Sequence, residues 1–140
     1  MKLIALSPEN IDQYLDDCVA LQSHLVKPDE SIDPQQMRKT AASADYFIAG
    51  IEDDQVVGLG VVNKIIHPAG TNAYIDNIVV HPEYRGRGLA REIMDALEHK
   101  AAEWGATQIK LTCSRPEVQA MYEKRGYQEK VSTKYYVKKI

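Results

Sequence analysis

The sequence predicts a mixed α/β domain, a mostly antiparallel central sheet flanked by helices. Strand-length apolar runs cluster mid-chain, at 46–52, 55–66 and 73–80, with turn residues between them. Stretches whose apolar residues recur at helical spacing lie on both sides of this block. The chain has 140 residues, 44% of them hydrophobic and 26% charged. That size suits one domain spanning 1–140, burying roughly two-thirds of its unfolded surface without a disulfide or metal.

Residues 2–6 open the chain as a short strand. Ser7-Pro8-Glu9 then reads as a helix start, with Ser7 as cap, Pro8 at the first helical position and an acid in the first turn. Ile11, Leu15 and Val19, with Tyr14, Cys18 and Leu21 beside them, form the buried stripe of that helix. A polar loop at 27–32 leads to Asp33-Pro34, which caps a shorter helix. Asp53-Asp54 joins the next two strands in a tight acidic turn, and 67–72 forms a second turn. The strand at 73–80 is apolar on both faces, the pattern of a central strand covered on both sides. Leu89, Ile93, Leu97, Ala101 and Trp104 mark a long amphipathic helix that stops at Gly105. A strand at 107–113, a helix at 117–125 closed by Gly126, and two terminal strands or a hairpin over 127–139 complete the chain.

Composition excludes several function classes. The net charge of −3 argues against a dedicated nucleic-acid binder. No apolar run approaches the roughly 20 residues of a membrane span. The apolar stretch after Met1 is too short for a signal peptide, so a cytoplasmic setting is expected. Cys18 and Cys113 are far apart and read as free thiols, and the four histidines lack ligand spacing, so no metal is expected. Charge is uneven along the chain. Residues 1–57 carry 4 basic and 11 acidic side chains, whereas 100–140 carry 9 and 4. This is either solvated surface or a cleft whose two sides attract opposite charges.

The chemistry concentrates between Val79 and Arg91. A buried strand ends, a turn containing Gly86 and Gly88 follows, and a helix starts at once. First-turn amides have no intrahelical partner, and the helix dipole adds positive potential. Glycines let the main chain approach a ligand, and Arg85, Arg87 and Arg91 add charge. This is an anion site suited to phosphate or pyrophosphate. The Gly-Lys-Ser/Thr of P-loops is absent, and so is the third glycine of the dinucleotide fingerprint.

Arg85-x-x-Gly88-x-Ala90 matches the (Gln/Arg)-x-x-Gly-x-(Gly/Ala) motif of the GNAT N-acetyltransferases, which the chain resembles. Residues 75–80 followed by His81-Pro82-Glu83-Tyr84 look like that family's fourth strand, and 107–113 like its fifth. Tyr122-Glu123-Lys124-Arg125-Gly126-Tyr127 resembles a later family segment, so the match is close over 73–130.

The resemblance implies an acyl-CoA N-acyltransferase fold whose central strands splay apart to admit acetyl-CoA. It places the pyrophosphate on the main chain of Arg85, Gly86, Arg87, Gly88, Leu89 and Ala90, with Arg91 adjacent. The pantetheine arm would lie against Ile78, Val79 and Val80. It makes Tyr122 the acid that protonates the leaving thiolate; without the family, Tyr122 is a helix-packing residue. Relatives often carry Asn and Ala where this chain has Arg115 and Val118. Arg115 is then either a phosphate ligand or a surface arginine.

Asp76 stands on the central strand, where period 2 puts it on one face with Ile78 and Val80. It is either the base that deprotonates the acceptor or a structural acid bonded to nearby backbone or Tyr74. Glu30 and Asp33 are the other candidates for the base. The strand around Asp76 is also similar to that of glucosamine-6-phosphate N-acetyltransferases. The implied activity is direct, ternary-complex transfer of acetyl to a primary amine of a small molecule or peptide, since no histidine neighbours Cys113 in sequence to activate it. A non-catalytic CoA-binding module and an amino-sugar phosphate N-acetyltransferase are the alternatives, and a homodimer stays open. An acidic N-terminal wall would favour cationic acceptors over sugar phosphates.

Overall fold

The structure, a computed structural model, describes residues 1–140. It contains β1 (Lys2–Ala5), α1 (Ile11–Gln22), α2 (Pro34–Ser43), β2 (Tyr46–Glu52), β3 (Gln55–His67), β4 (Gly70–Val80), α3 (Leu89–Glu103), β5 (Gln108–Lys110) and α4 (Pro116–Lys124). Short 3₁₀ turns follow α1 and β4. The sheet runs β1-β2-β3-β4-β5, antiparallel up to β4 and parallel between β4 and β5. A parallel pair needs a crossover, and α3 supplies it.

Both faces of the sheet are covered. Leu15, Cys18 and Leu21 of α1 and Met37 and Ala41 of α2 pack on Phe47, Leu59, Val61 and Val79. On the other face, Ile93, Met94, Leu97 and Ala101 of α3 pack on Ile48, Val62, Ile75 and Val80. Each large apolar side chain buried this way is worth about 1.5–3 kcal/mol. Gly60 lets α3 sit close: a Cβ there would lie 2.6 Å from Cγ2 of Ile93.

Local chemistry explains most boundaries. Asp53 and Asp54 have φ of 53° and 59°, the left-handed pair of a type I′ hairpin turn. Asp33 caps α2, its carboxylate accepting from the Gln35 amide at 2.9 Å. Three expected element boundaries need correction. Helix α1 starts at Ile11, because Asn10 bonds the Ser7 amide and the Ala5 carbonyl and closes a turn first. The fifth strand, expected over 107–113, pairs only at Asn72–Gln108, Ala73–Ile109 and Tyr74–Lys110. No strand forms over 127–139, where Val131, Tyr135, Tyr136 and Val137 are exposed and find no ladder partner.

A bulge in β4 overturns the assumed phase of Asp76. Leu59 pairs with Val79 and Val61 with Asp76, so Asn77 and Ile78 together oppose Gly60. Asn77 takes the left-handed conformation, φ 55°, that such a bulge needs. The extra residue reverses the alternation. Asp76 shares the α1 face with Val79, while Ile78 and Val80 lie on the α3 face.

Candidate active site

The turn between β4 and α3 is braced from below. Buried Tyr84 donates its hydroxyl hydrogen to Asp53 Oδ2 at 2.9 Å and accepts from Gln55 Nε2 at 2.8 Å. The bond to Asp53 raises its phenol pKa above the ordinary value. Arg85 Nε donates to the Val80 carbonyl at 3.2 Å, tying the turn to the strand end. Gly86 and Gly88 have φ of 80° and 81°. A Cβ on Gly86 would meet no atom within 4 Å, and one on Gly88 only Arg91 Nη2 at 3.8 Å. Glycine is therefore required by the backbone, and the space above it is open. The first helical bond of α3 runs from the Glu92 amide to the Gly88 carbonyl at 3.1 Å. The amides of Leu89, Ala90 and Arg91 precede it, outside the helical ladder, and the three residues line the cavity described next. Their chemistry fits the pyrophosphate of a CoA ester.

Beyond Tyr74 and Lys110, β4 and β5 separate. A cavity of about 690 Å³ fills the wedge, bounded by β4, the α3 N-terminus, residues 111–115, α4 and the end of α1. Tyr122 projects from α4 into its wall, half-buried and edge-on to Tyr127 with centroids 5.9 Å apart. Burial, reinforced by Cys113, holds its phenol pKa above 10 against the opposing Arg115. Asp76 is exposed to the same cavity, and its Oδ1 accepts from the Asn77 amide at 2.8 Å. Helix α4 is fastened to α3 by Arg125, which donates to Asp95 at 2.6 Å and to Glu98 at 2.7 Å.

The sequence pattern of the Acetyltransferase (GNAT) family matches residues 11–127. The chain belongs to that family. It is 32% identical over 92 residues to the probable glucosamine 6-phosphate N-acetyltransferase of Drosophila melanogaster, covering 61% of this chain and 42% of that relative. It is 35% identical over 72 residues to the probable glucosamine 6-phosphate N-acetyltransferase 2 of Oryza sativa subsp. japonica, covering 51% and 43%. The chain thus spans less than half the length of either. Among solved structures, a predicted acetyltransferase of Clostridium acetobutylicum, determined with acetyl-CoA, superposes over 97% of this chain and 95% of its own, with TM-score 0.76 and 20% identity. That likeness confirms the GNAT fold.

Most of the residues anticipated from the sequence meet at this GNAT cavity. Asp76, Ile78, Val79, Val80, Arg85, Gly86, Gly88, Leu89, Ala90, Arg91, Arg115 and Tyr122 all line it. Arg87 does not; its guanidinium lies 4.9 Å from the Tyr84 ring centroid and braces the turn from outside. Arg115 is at the rim, paired with Glu117 at 2.9 Å. Cys113 lies beyond β5, in the wall rather than within a strand. Neither Glu30 nor Asp33 reaches the cavity.

The expected acidic wall is also absent. Asp12 pairs with Arg38, Asp17 accepts from the Val56 amide, Asp45 from the Lys64 amide and Asp53 from Tyr84. These carboxylates close turns and join elements. Gln22, Leu25 and Val26 form the α1 side of the cavity instead. Nothing in a linear pattern marks them, since sheet packing alone brings the end of α1 beside the bulge.

Proposed function

We propose that this chain transfers acetyl from acetyl-CoA directly to a primary amine. The observation that carries this reading is a single cavity reaching from the free α3 amides along the open edge of β4 to Tyr122. In this reading the amides of Leu89, Ala90 and Arg91 and the Arg85 and Arg91 guanidiniums hold the pyrophosphate. The main chain of Ile78–Val80, facing the widening gap to β5, bonds the pantetheine arm and polarises the thioester carbonyl. Acetyl-CoA supplies the activated acetyl group. Asp76, whose Oδ2 makes no hydrogen bond in the chain, takes the proton that the acceptor ammonium sheds. Tyr122 donates its proton to sulfur as the C–S bond breaks and the C–N bond forms. A reducing, cytoplasmic setting agrees with the two free cysteines.

Within that activity an amino-sugar phosphate acceptor has specific support. The two relatives named above are probable glucosamine 6-phosphate N-acetyltransferases, and no acidic wall from the N-terminal half stands to repel a phosphate. Thiol release from acetyl-CoA, measured with glucosamine 6-phosphate, a polyamine and a lysine peptide, tests both levels. Release with none of them favours a CoA-binding module. Gly88→Asp places a carboxylate and a strained left-handed backbone at the proposed anion site, and should weaken acetyl-CoA binding at least about a hundredfold by calorimetry. Unchanged affinity would remove the anion site from this turn.

A further inference from the structure

The bulge in β4 puts a polar pair where an acceptor would meet Asp76. Gln22, at the end of α1, donates from Nε2 to Asn77 Oδ1 at 3.1 Å, across 55 residues of chain. Both residues line the cavity, and Gln22 is half-buried while Asn77 is exposed. Their bond to each other leaves Gln22 Oε1 and Asn77 Nδ2 without a side-chain partner, so the pair keeps one free acceptor and one free donor. The neighbouring Asp76 uses Oδ1 on the Asn77 amide and keeps Oδ2 free.

We infer that Gln22 and Asn77 are specificity-determining residues that select an amine carrying a hydroxyl on the adjacent carbon. This rests on the amine-acetylation reading above. A single hydroxyl satisfies both free atoms, donating to Gln22 Oε1 and accepting from Asn77 Nδ2. With that hydroxyl held, the amine one carbon away falls beside the Asp76 carboxylate. A plain alkylamine lacks that hydroxyl and forms neither bond, leaving the pair to water. The same residue sets the strand phase. The left-handed backbone of Asn77 turns Asp76 toward the α1 face, and its side chain fastens α1 to that bulge.

The test compares trans-2-aminocyclohexanol with cyclohexylamine, which share a ring and an amine and differ in one adjacent hydroxyl. The kcat/KM ratio should favour the amino alcohol about tenfold in the wild type. In Gln22→Leu and in Asn77→Gly the ratio should fall toward one, with the KM for acetyl-CoA unchanged. A merely structural role for the pair would move both acceptors alike. Glycine adopts the left-handed backbone without strain, so Asn77→Gly keeps the bulge. If it still fails to fold, Gln22→Leu decides alone. Acetyl transfer with a wild-type preference that survives in the folded variants overturns this inference and leaves the amine reading standing. Absence of transfer to any amine overturns both.

Discussion

Replacing Tyr122 by phenylalanine deletes one oxygen and tests the proposed acid in isolation. The half-buried ring meets Tyr127 edge-on at 5.9 Å and 73°, a contact that phenylalanine keeps. The hydroxyl forms no hydrogen bond with the chain, so its loss orphans no partner. Stability should therefore change by no more than about 0.5 kcal/mol, or about 2 °C in Tm. The rate should respond far more. General-acid catalysis is worth about 10²–10⁴-fold, equivalent to about 3–5 kcal/mol in the barrier. A thiolate leaves more readily than an alkoxide, so the lower end applies, and kcat should fall about a hundredfold with an unchanged KM for acetyl-CoA. Burial raises the phenol pKa above its ordinary value, so the acid keeps its proton to higher pH than an exposed tyrosine. Any alkaline loss of kcat caused by ionisation of Tyr122 should then set in at higher pH than for an ordinary phenol. Thiol release between pH 6 and 10, paired with thermal melts, measures both quantities. A folded Tyr122→Phe variant within about twofold of wild-type kcat would refute the assignment.

Gly60→Ala should test the close packing under the bulge. Its Cβ would lie 2.6 Å from Ile93 Cγ2 and 3.0 Å from Leu97 Cδ1. The clash should cost about 1–2 kcal/mol and lower Tm by about 3–6 °C; a Tm equal to wild type would show that α3 yields freely. Cys18 predicts an alkaline weakness. Burial pushes its thiol from 9.0 up to about 12, so between those values the unfolded chain releases a proton that the folded chain retains. The unfolded state then binds fewer protons, and stability should fall as pH rises through that window, by at most about 1.4 kcal/mol per pH unit. Denaturant titrations of wild type and Cys18→Ala should differ in that slope, and parallel slopes would contradict the assignment.

Much of this protein was legible in its residues. Apolar runs bounded by turn residues located β1 to β4, helical stripes located α1 and α3, and Asp33-Pro34 and Asp53-Asp54 marked a cap and a hairpin that the backbone reproduces. Gly86 and Gly88 lie at positive φ where a strand-to-helix turn was expected, and Tyr122 lines the same cavity as that turn. These features are local, because a turn, a cap or an amphipathic stripe depends on neighbours a few residues away.

What tertiary structure decided depends on pairing between distant segments. The residues at 111–113 have a strand's composition, yet β5 stops at Lys110 because β4 turns away, and that divergence opens the cavity. The terminal segment alternates like a strand and remains unpaired, since pattern alone supplies no ladder partner. The sequence allowed Asp76 to be placed on a central strand but gave the wrong face. One extra residue opposite Gly60 inverts the alternation, and only the partner strand reveals the insertion. The acidic N-terminal half suggested a charged wall from a count of carboxylates. Packing instead commits several of them to caps, turns and pairs, and brings the uncharged Gln22 to the cavity. Charge can be counted along a chain, but the surface it faces is set by how sheet and helices assemble.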